Sequence, residues 1–212
     1  MSRAEPHHQA PWPHPACLAD EALLAQCSMG KSRSRGPGGQ HRNKVETGVE
    51  LHHLPTGVEA HATERRSVTE NRREALWRLR LALAVHVRTR VGAGEVGSPL
   101  WRSRVRRPKA DARAPTGGDM LLKELGVQLR PPDTGADGRA PGRVVVNPEH
   151  HDYPSLLAEA LDVIAAMGWD PKAAGLRLGV SASQLVKLVK DHPAAMLMLN
   201  REREKKGLGT MK

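Results

Sequence analysis

RGPGGQHRNKVETGVELHHLPTGVEAHATERRSVTENRREAL, residues 35–76, is the stretch on which the fold turns. Its centre, GVELHHL and GVEAHAT, alternates apolar and polar residues as half-buried strands do, and Pro55 and Gly57 sit where a hairpin turn needs them. Downstream, SVTE (Ser67, Glu70) has the form of a capping box, in which each side chain satisfies an amide at the start of a helix. Leu76, Leu79, Leu83 and Val87 then recur at the helical period, so a long helix is expected to run to about Arg90 and lay this stripe on the hairpin. Arg72, Arg73, Arg80 and Arg88 fall mostly off the stripe and predict a positively charged opposite face. Upstream, LADEALLAQCSMGKS reads equally as a short helix or a first strand, followed by the glycine-rich loop. The fold class expected is α+β: a small antiparallel sheet packed on a long helix, with the loop carrying Gly38, Gly39 and Gln40 protruding.

Outward from this unit, residues 1–16 are rich in Pro and His and read as a disordered arm, and residues 17–90 form the compact domain. Residues 91–119 mix Arg, Gly and Pro and read as a basic linker, whose arginines are suited to tracking a phosphate backbone. Residues 120–154 offer a short helix in DMLLKELGVQL and a short strand in GRVVVNP. Residues 155–212 read as an α-helical module: Ser155 is placed to cap a helix that stops at Gly168, and Asp170 with Pro171 opens the next. After Gly179, SASQ (Ser181, Gln184) is a second capping box, and Pro193 begins a last helix. Two short helices joined through Gly179 have the pattern of a helix-turn-helix.

The chain is long enough to bury a core without disulfides, but that core must be aliphatic. Phe is absent, Tyr153 is the one tyrosine and there are four Trp, which argues against base stacking on an aromatic sheet. A formal charge of +10 points to a polyanionic partner, nucleic acid before an anionic membrane surface. Cys17 and Cys27 fit neither a disulfide framework nor a C-x-x-C metal spacing, and read as reduced thiols. His7, His8 and His14 lack accompanying ligands, and His41, His52 and His61 match no standard metal spacing, so no metal is expected. The N-terminal residues lack the apolar run of a signal peptide, and the apolar run at residues 81–87 is too short for a bilayer, so a cytoplasmic protein without a membrane partner is expected.

The glycine-rich loop lacks the Lys and Ser/Thr that follow the last glycine of a phosphate-binding P-loop. No G-x-S-x-G elbow accompanies the histidines, and His52 and His53 fall on opposite faces of a strand. What remains is Gln40, whose side-chain amide can orient a water and whose backbone N–H can stabilise an oxyanion or a leaving alkoxide. The glycines before it allow close backbone approach to a ligand. This chemistry is weak alone and becomes useful when the loop enters an active site that supplies the rest.

GPGGQHRNK, GVELHHLPTGV and ERRSVTENRREAL, in that order, resemble the catalytic domain of class I peptide chain release factors and of the codon-independent ribosome-rescue hydrolases. The resemblance covers about residues 17–90. It implies an enzyme, a peptidyl-tRNA ester hydrolase, with Gly38, Gly39 and Gln40 entering the peptidyl transferase centre of the large ribosomal subunit. There Gln40 helps water attack the ester between nascent peptide and tRNA. It implies that Arg33, Arg35, Arg42 and Lys44 hold the loop against rRNA phosphates, that Asn43 and Thr47 secure its base, and that Arg65, Arg66, Asn71 and Arg72 support or extend the RNA face. The partners implied are large-subunit rRNA, peptidyl-tRNA and a glutamine methyltransferase that modifies the side chain of Gln40; no cofactor is implied.

Two positions depart from the family pattern: Arg42 replaces a small apolar residue and Gly48 a common alanine. About thirty residues precede the loop, which leaves no room in this sequence for a stop-codon-reading domain and favours codon-independent action. The C-terminal NREREKKGLGTMK is mixed in sign, unlike the Lys/Arg-rich tails that probe an empty mRNA channel, so stalled whole ribosomes and split large subunits both stay open as substrates. The rival reading is a non-catalytic RNA- or DNA-binding regulator in which Ser183, Gln184 and Lys187 form the polar face of a recognition helix.

Overall fold

The computed structural model describes residues 9–10, 13–32, 47–92, 97–106 and 141–211. In chain order these form β1 (Gln9–Ala10), a 3-10 turn (Pro15–Cys17), α1 (Asp20–Leu24), β2 (Cys27–Ser32), β3 (Gly48–His53), β4 (Val58–Ala62), α2 (Val68–His86) and β5 (Arg88–Thr89). They continue with α3 (Pro99–Arg104), β6 (Val105–Arg106), β7 (Arg143–Val144), α4 (Tyr153–Ala166), α5 (Pro171–Leu178), α6 (Ala182–Lys190) and α7 (Pro193–Lys205).

Strands β2, β3 and β4 make an antiparallel meander in that order. Strand β3 shows the period of two expected of it: Val49, Leu51 and His53 are buried, while Glu50 is exposed and His52 half-buried on the other face. The buried face packs on α2, chiefly through β4 and β3. The ambiguous segment before the loop resolves as both elements, helix α1 and then strand β2.

In α2 the predicted stripe of Leu76, Leu79, Leu83 and Val87 is buried, but so are Ala75, Leu81, Ala84 and Val85. The expected positive back face is therefore corrected: α4 and the 3-10 turn cover it. Arg80 donates to Ala16 O and pairs with Asp20 at 2.6 Å, and Arg88 reaches Asp162 on α4 at 3.2 Å, so two of the four arginines are spent on tertiary structure. Arg72 and Arg73 stay exposed.

Two of the expected caps do not form. Ser67 precedes α2 but makes no side-chain cap bond, and the connection is held by Asn71 instead. Ser155 lies inside α4, which begins at Tyr153, and its hydroxyl donates to Ala16 O. At the later helices Asp170 accepts from Lys172 N at 2.9 Å, and Ser181 supplies the serine half of its expected box by accepting from Gln184 N at 3.3 Å.

Several stretches that read as unstructured are packed. His14 and Ala16, within the expected disordered arm, are fully buried, and β1 pairs with β5. Inside the expected linker, Ser98 caps α3, and Trp101 is buried with its Nε1 donating to Leu178 O at 3.1 Å. Arg143–Val144 of the weakly strand-like GRVVVNP pairs with β6, whereas the helix expected in DMLLKELGVQL lies outside the described residues. One continuous core results, running from Leu23 and Leu51 through α2 to Leu156, Leu161, Leu185 and Leu199.

The seam between α2 and α4 holds a buried polar knot. Asp162 accepts from Thr89 N at 3.1 Å, from the Thr89 hydroxyl and from Arg88 at 3.2 Å. Arg88 also donates to the α2 carbonyls of Ala84 and Val85. Nearby, Glu159 accepts from the amide and the hydroxyl of Ser98, both at 2.6 Å, and burial raises its pKa.

The two short helices expected on either side of Gly179 are α5 and α6. Gly179 closes α5 with φ 71°. Gly175 is needed for a different reason: a Cβ there would lie 2.7 Å from Val180 O and 3.2 Å from Ala182 N. Both are backbone atoms of the turn. Alanine gains about 1 kcal/mol of helix propensity over glycine, but overpacking against backbone costs about 1–3 kcal/mol. Gly175→Ala is therefore expected to lower the stability measured by urea unfolding, and a rise would show that the turn yields freely.

His14 supplies a pH prediction. Its Nδ1 accepts from Ala16 N at 3.0 Å and its Nε2 faces Val87 O at 3.2 Å, an arrangement that suits a neutral ring with hydrogen on Nε2. Burial lowers its pKa from the ordinary 6.5, and burial does the same for His53 and His192. These rings stay neutral in the fold while the unfolded chain takes up protons, so their stabilising effect is full above about pH 6.5 and is lost as pH falls through the folded-state values. The melting temperature should fall between pH 6.5 and 5, and less steeply in His14→Gln; a flat profile in the wild type would refute this.

Candidate functional site

The loop that carries Gly38, Gly39 and Gln40 leaves β2 at Ser32 and rejoins the sheet at Gly48, and these two residues are register partners across the β2–β3 ladder. The two stems are thus clipped together at its base. Gly38, Gly39, Gln40, Arg33, Arg35, Arg42, Asn43 and Lys44 themselves lie outside the described residues.

Asn71 locks the C-terminal stem. It is fully buried, and its Nδ2 donates to Thr47 O at 2.6 Å and to Arg65 O at 2.9 Å, while its Oδ1 accepts from Arg65 N at 2.9 Å. One side chain at the start of α2 therefore ties the root of the loop to the β4–α2 connection. Every hydrogen-bonding direction of the amide but one is used on backbone, so Asn71 positions the loop root rather than presenting a group to a ligand. The neighbouring Arg65, Arg66 and Arg72 are exposed around it. The structure thus brings together the loop root and three of the arginines expected to meet RNA.

The outer face of the sheet carries His52 and His61, directly across from Glu59 and Glu50. His53 points inward and is fully buried, its ring held by Thr56 Oγ1 at 2.6 Å and Gln26 Oε1 at 2.9 Å. The opposite-face expectation for His52 and His53 holds, and His53 is a core residue. Neither cysteine has the low pKa of an activated nucleophile: the thiol of Cys17, an exposed residue, is pushed up to about 11 chiefly by desolvation from the groups packed around it, and burial raises that of Cys27, whose Sγ donates to Leu23 O.

Sequence reasoning did not anticipate a cleft of about 980 Å³ between α2 and the start of α4. Arg65, Arg73 and Trp77 line its α2 side, and His150 and His151 the other. The indole Nε1 of Trp77 is buried, with no hydrogen-bond partner among the described residues. Arg80 and Glu74 also line the cleft, but each is ion-paired, with Asp20 and Arg78 respectively. The sequence signal was the HHD triplet, which looks unremarkable until the chain folds it opposite Arg65.

Residues 24–94 match the RF-1 domain family. The chloroplastic peptide chain release factor PrfB1 of Arabidopsis thaliana is 50% identical over 54 residues, which is 26% of this chain and 12% of that protein. Peptide chain release factor 1 of Acidiphilium cryptum is 44% identical over 62 residues, 29% of this chain and 18% of the relative. Peptide chain release factor 1 of Kineococcus radiotolerans is 38% identical over 84 residues, 40% of this chain and 23% of the relative. The chain therefore spans less than a quarter of the length of each of these relatives. No solved structure matches it. Among the described residues, no helix is long and apolar enough to cross a membrane.

Proposed function

From a chain that carries the RF-1 domain of class I release factors at residues 24–94, we propose a peptidyl-tRNA hydrolase that acts in the peptidyl transferase centre of the large ribosomal subunit, independently of a stop codon. The observation that carries this reading is the clipped and locked loop root. The Ser32–Gly48 pairing and the Asn71–Thr47 bond hold the stems of a Gly-Gly-Gln loop beside exposed Arg65, Arg66 and Arg72. In this reading Gly38 and Gly39 let the backbone approach the ester, and Gln40 orients the attacking water, with its N–H toward the developing charge. Arg33, Arg35, Arg42, Asn43 and Lys44 steady the loop on rRNA, since Arg and Lys together neutralise phosphates. The methyl acceptor in this reading is the Gln40 side chain, modified by a glutamine methyltransferase.

Codon independence is supported by how the described residues beyond the match are used. Helices α3 to α7 build one core with α2, through Trp101, the Arg88–Asp162 pair and the bond from the Tyr153 hydroxyl to Leu188 O. Their exposed polar residues, among them Ser183, Lys187 and Lys190 on α6, are then available to sense the stalled particle.

The test is release of labelled peptide from peptidyl-tRNA on ribosomes with no codon in the A site, with isolated large subunits run in parallel. Release establishes the hydrolase, and the faster substrate identifies the stalled state. Binding with no release from either particle would sink the enzyme and leave a non-catalytic RNA-binding protein.

A further inference from the structure

The turn that enters α4 brings three ligand-type side chains together in the cleft. His150, His151 and Asp152 each offer one donor atom, and the three atoms lie within 4.8 Å of one another. Asp152 Oδ1 is 3.0 Å from His151 Nε2, and Asp152 Oδ2 is 3.5 Å from His150 Nδ1. Around a tetrahedral zinc ion, bond lengths of about 2.0–2.2 Å put neighbouring ligand atoms roughly 3.3 Å apart. The His151 Nε2–Oδ1 contact is close to that value, whereas the 3.5 Å approach of His150 is to the other oxygen, so His150 must turn toward Oδ1 for the three donors to meet one ion. The backbone is fixed by Asn147: its carbonyl accepts from His150 N and its Oδ1 from Glu149 N, while Tyr153 N donates to His150 O. The two rings stack at 4.2 Å between centroids.

Asp152 itself is used unusually. It occupies the N-cap position of α4, where an aspartate ordinarily accepts from the helix amides, yet its side chain makes no such bond. Its carboxylate is turned instead toward the two imidazoles and Arg104. The guanidinium of Arg104 binds Oδ2, so one carboxylate oxygen is oriented from behind while Oδ1 faces His151. A charged group on the far oxygen is how outer contacts commonly orient a metal-binding carboxylate.

We propose that His150, His151 and Asp152 form a binding site for a divalent transition ion of the zinc type, open on its fourth side to the cleft. Two imidazoles and one carboxylate select such an ion over calcium or magnesium, which prefer oxygen donors. His150 Nδ1 now accepts from Asp152 N at 3.2 Å, and the ion takes the place of that contact. Arg104, 3.4 Å from His150 Nε2, must then release the ring while it keeps Asp152. This positive neighbour sets the affinity below that of an all-neutral shell, and the Glu149 carboxylate lining the same cleft offsets it in part.

The test is equilibrium dialysis of the full chain against Zn²⁺ alone, with visible absorption of Co²⁺ as a second readout of coordination. One equivalent is expected, with tetrahedral-type Co²⁺ bands that Zn²⁺ abolishes. The His151 side chain is 82% exposed, so His151→Ala should leave the fold intact and weaken binding at least tenfold; His150→Ala should do the same. His7→Ala/His8→Ala and His52→Ala/His61→Ala, which remove the other histidine pairs, should change nothing. Binding that survives His151→Ala, binding that disappears only with the other pairs, or no stoichiometric binding would each overturn the site and leave an ionic clamp between α3 and α4.

Discussion

Gly39→Ala or Gln40→Ala should lower peptide release by about a hundredfold while ribosome affinity stays within a few-fold, because loss of one preorganised group at a hydrolytic centre typically costs two to three orders of magnitude. The two changes act differently. In the proposed mechanism Gln40→Ala keeps the backbone N–H and deletes the amide assigned to orient water, whereas Gly39→Ala adds a Cβ where the main chain is proposed to approach the ester. On the proposed reading binding should persist because the arginines and Lys44 are untouched, and stability should persist because the Ser32–Gly48 pairing and the Asn71 contacts are made by other residues. Single-turnover release measured beside equilibrium binding separates the outcomes. Equal loss of both would mean that the loop is a docking element, and unchanged release would remove Gln40 from the chemistry.

Asp162→Ala should cost about 3–5 kcal/mol, the typical penalty for leaving one member of a buried ion pair alone. Asp162 is 2% exposed and is acceptor to Thr89 N, Thr89 Oγ1 and Arg88. Its removal strands a buried guanidinium, whose pKa burial already lowers, and a buried amide. A domain of this kind has roughly 5–15 kcal/mol in total, so the variant should melt far below the wild type or fail to accumulate. Arg88→Met alongside Asp162→Leu should recover part of the loss, since an apolar pair carries no stranded charge. A cost under about 1 kcal/mol for Asp162→Ala would mean that water reaches the seam.

What could be read from the sequence was what short-range periodicity encodes. Val49, Leu51 and His53 alternate with Glu50 and His52, the α2 stripe repeats at helical spacing, and Asp170, Gly179 and Ser181 punctuate the last helices as their local chemistry requires. Where the reading failed, the deciding partner was distant. Ser155 looks like a cap until Ala16 O, 139 residues away, takes its hydroxyl. Arg80 and Arg88 look like a charged face until Asp20 and Asp162 arrive from other elements. Trp101 sits among arginines and reads as linker, yet its ring completes the core and its N–H needs Leu178 O. At the candidate site the exposed arginines expected to meet RNA were named from their order in the chain, but the buried amide of Asn71, facing Thr47 and Arg65, depends on a turn that brings the loop root to the helix start.

The clip at Ser32–Gly48 also separates two quantities that a hairpin usually ties together, the length of its loop and the stability of its stem. With the stems already joined by the ladder and by Asn71, a doubling of the connecting segment would cost only about 0.6 kcal/mol of closure entropy. The sheet can therefore tolerate connections of many lengths, and under the proposed function that length is free to match the depth of the site the segment enters. Reach, in this molecule, is adjustable almost independently of folding.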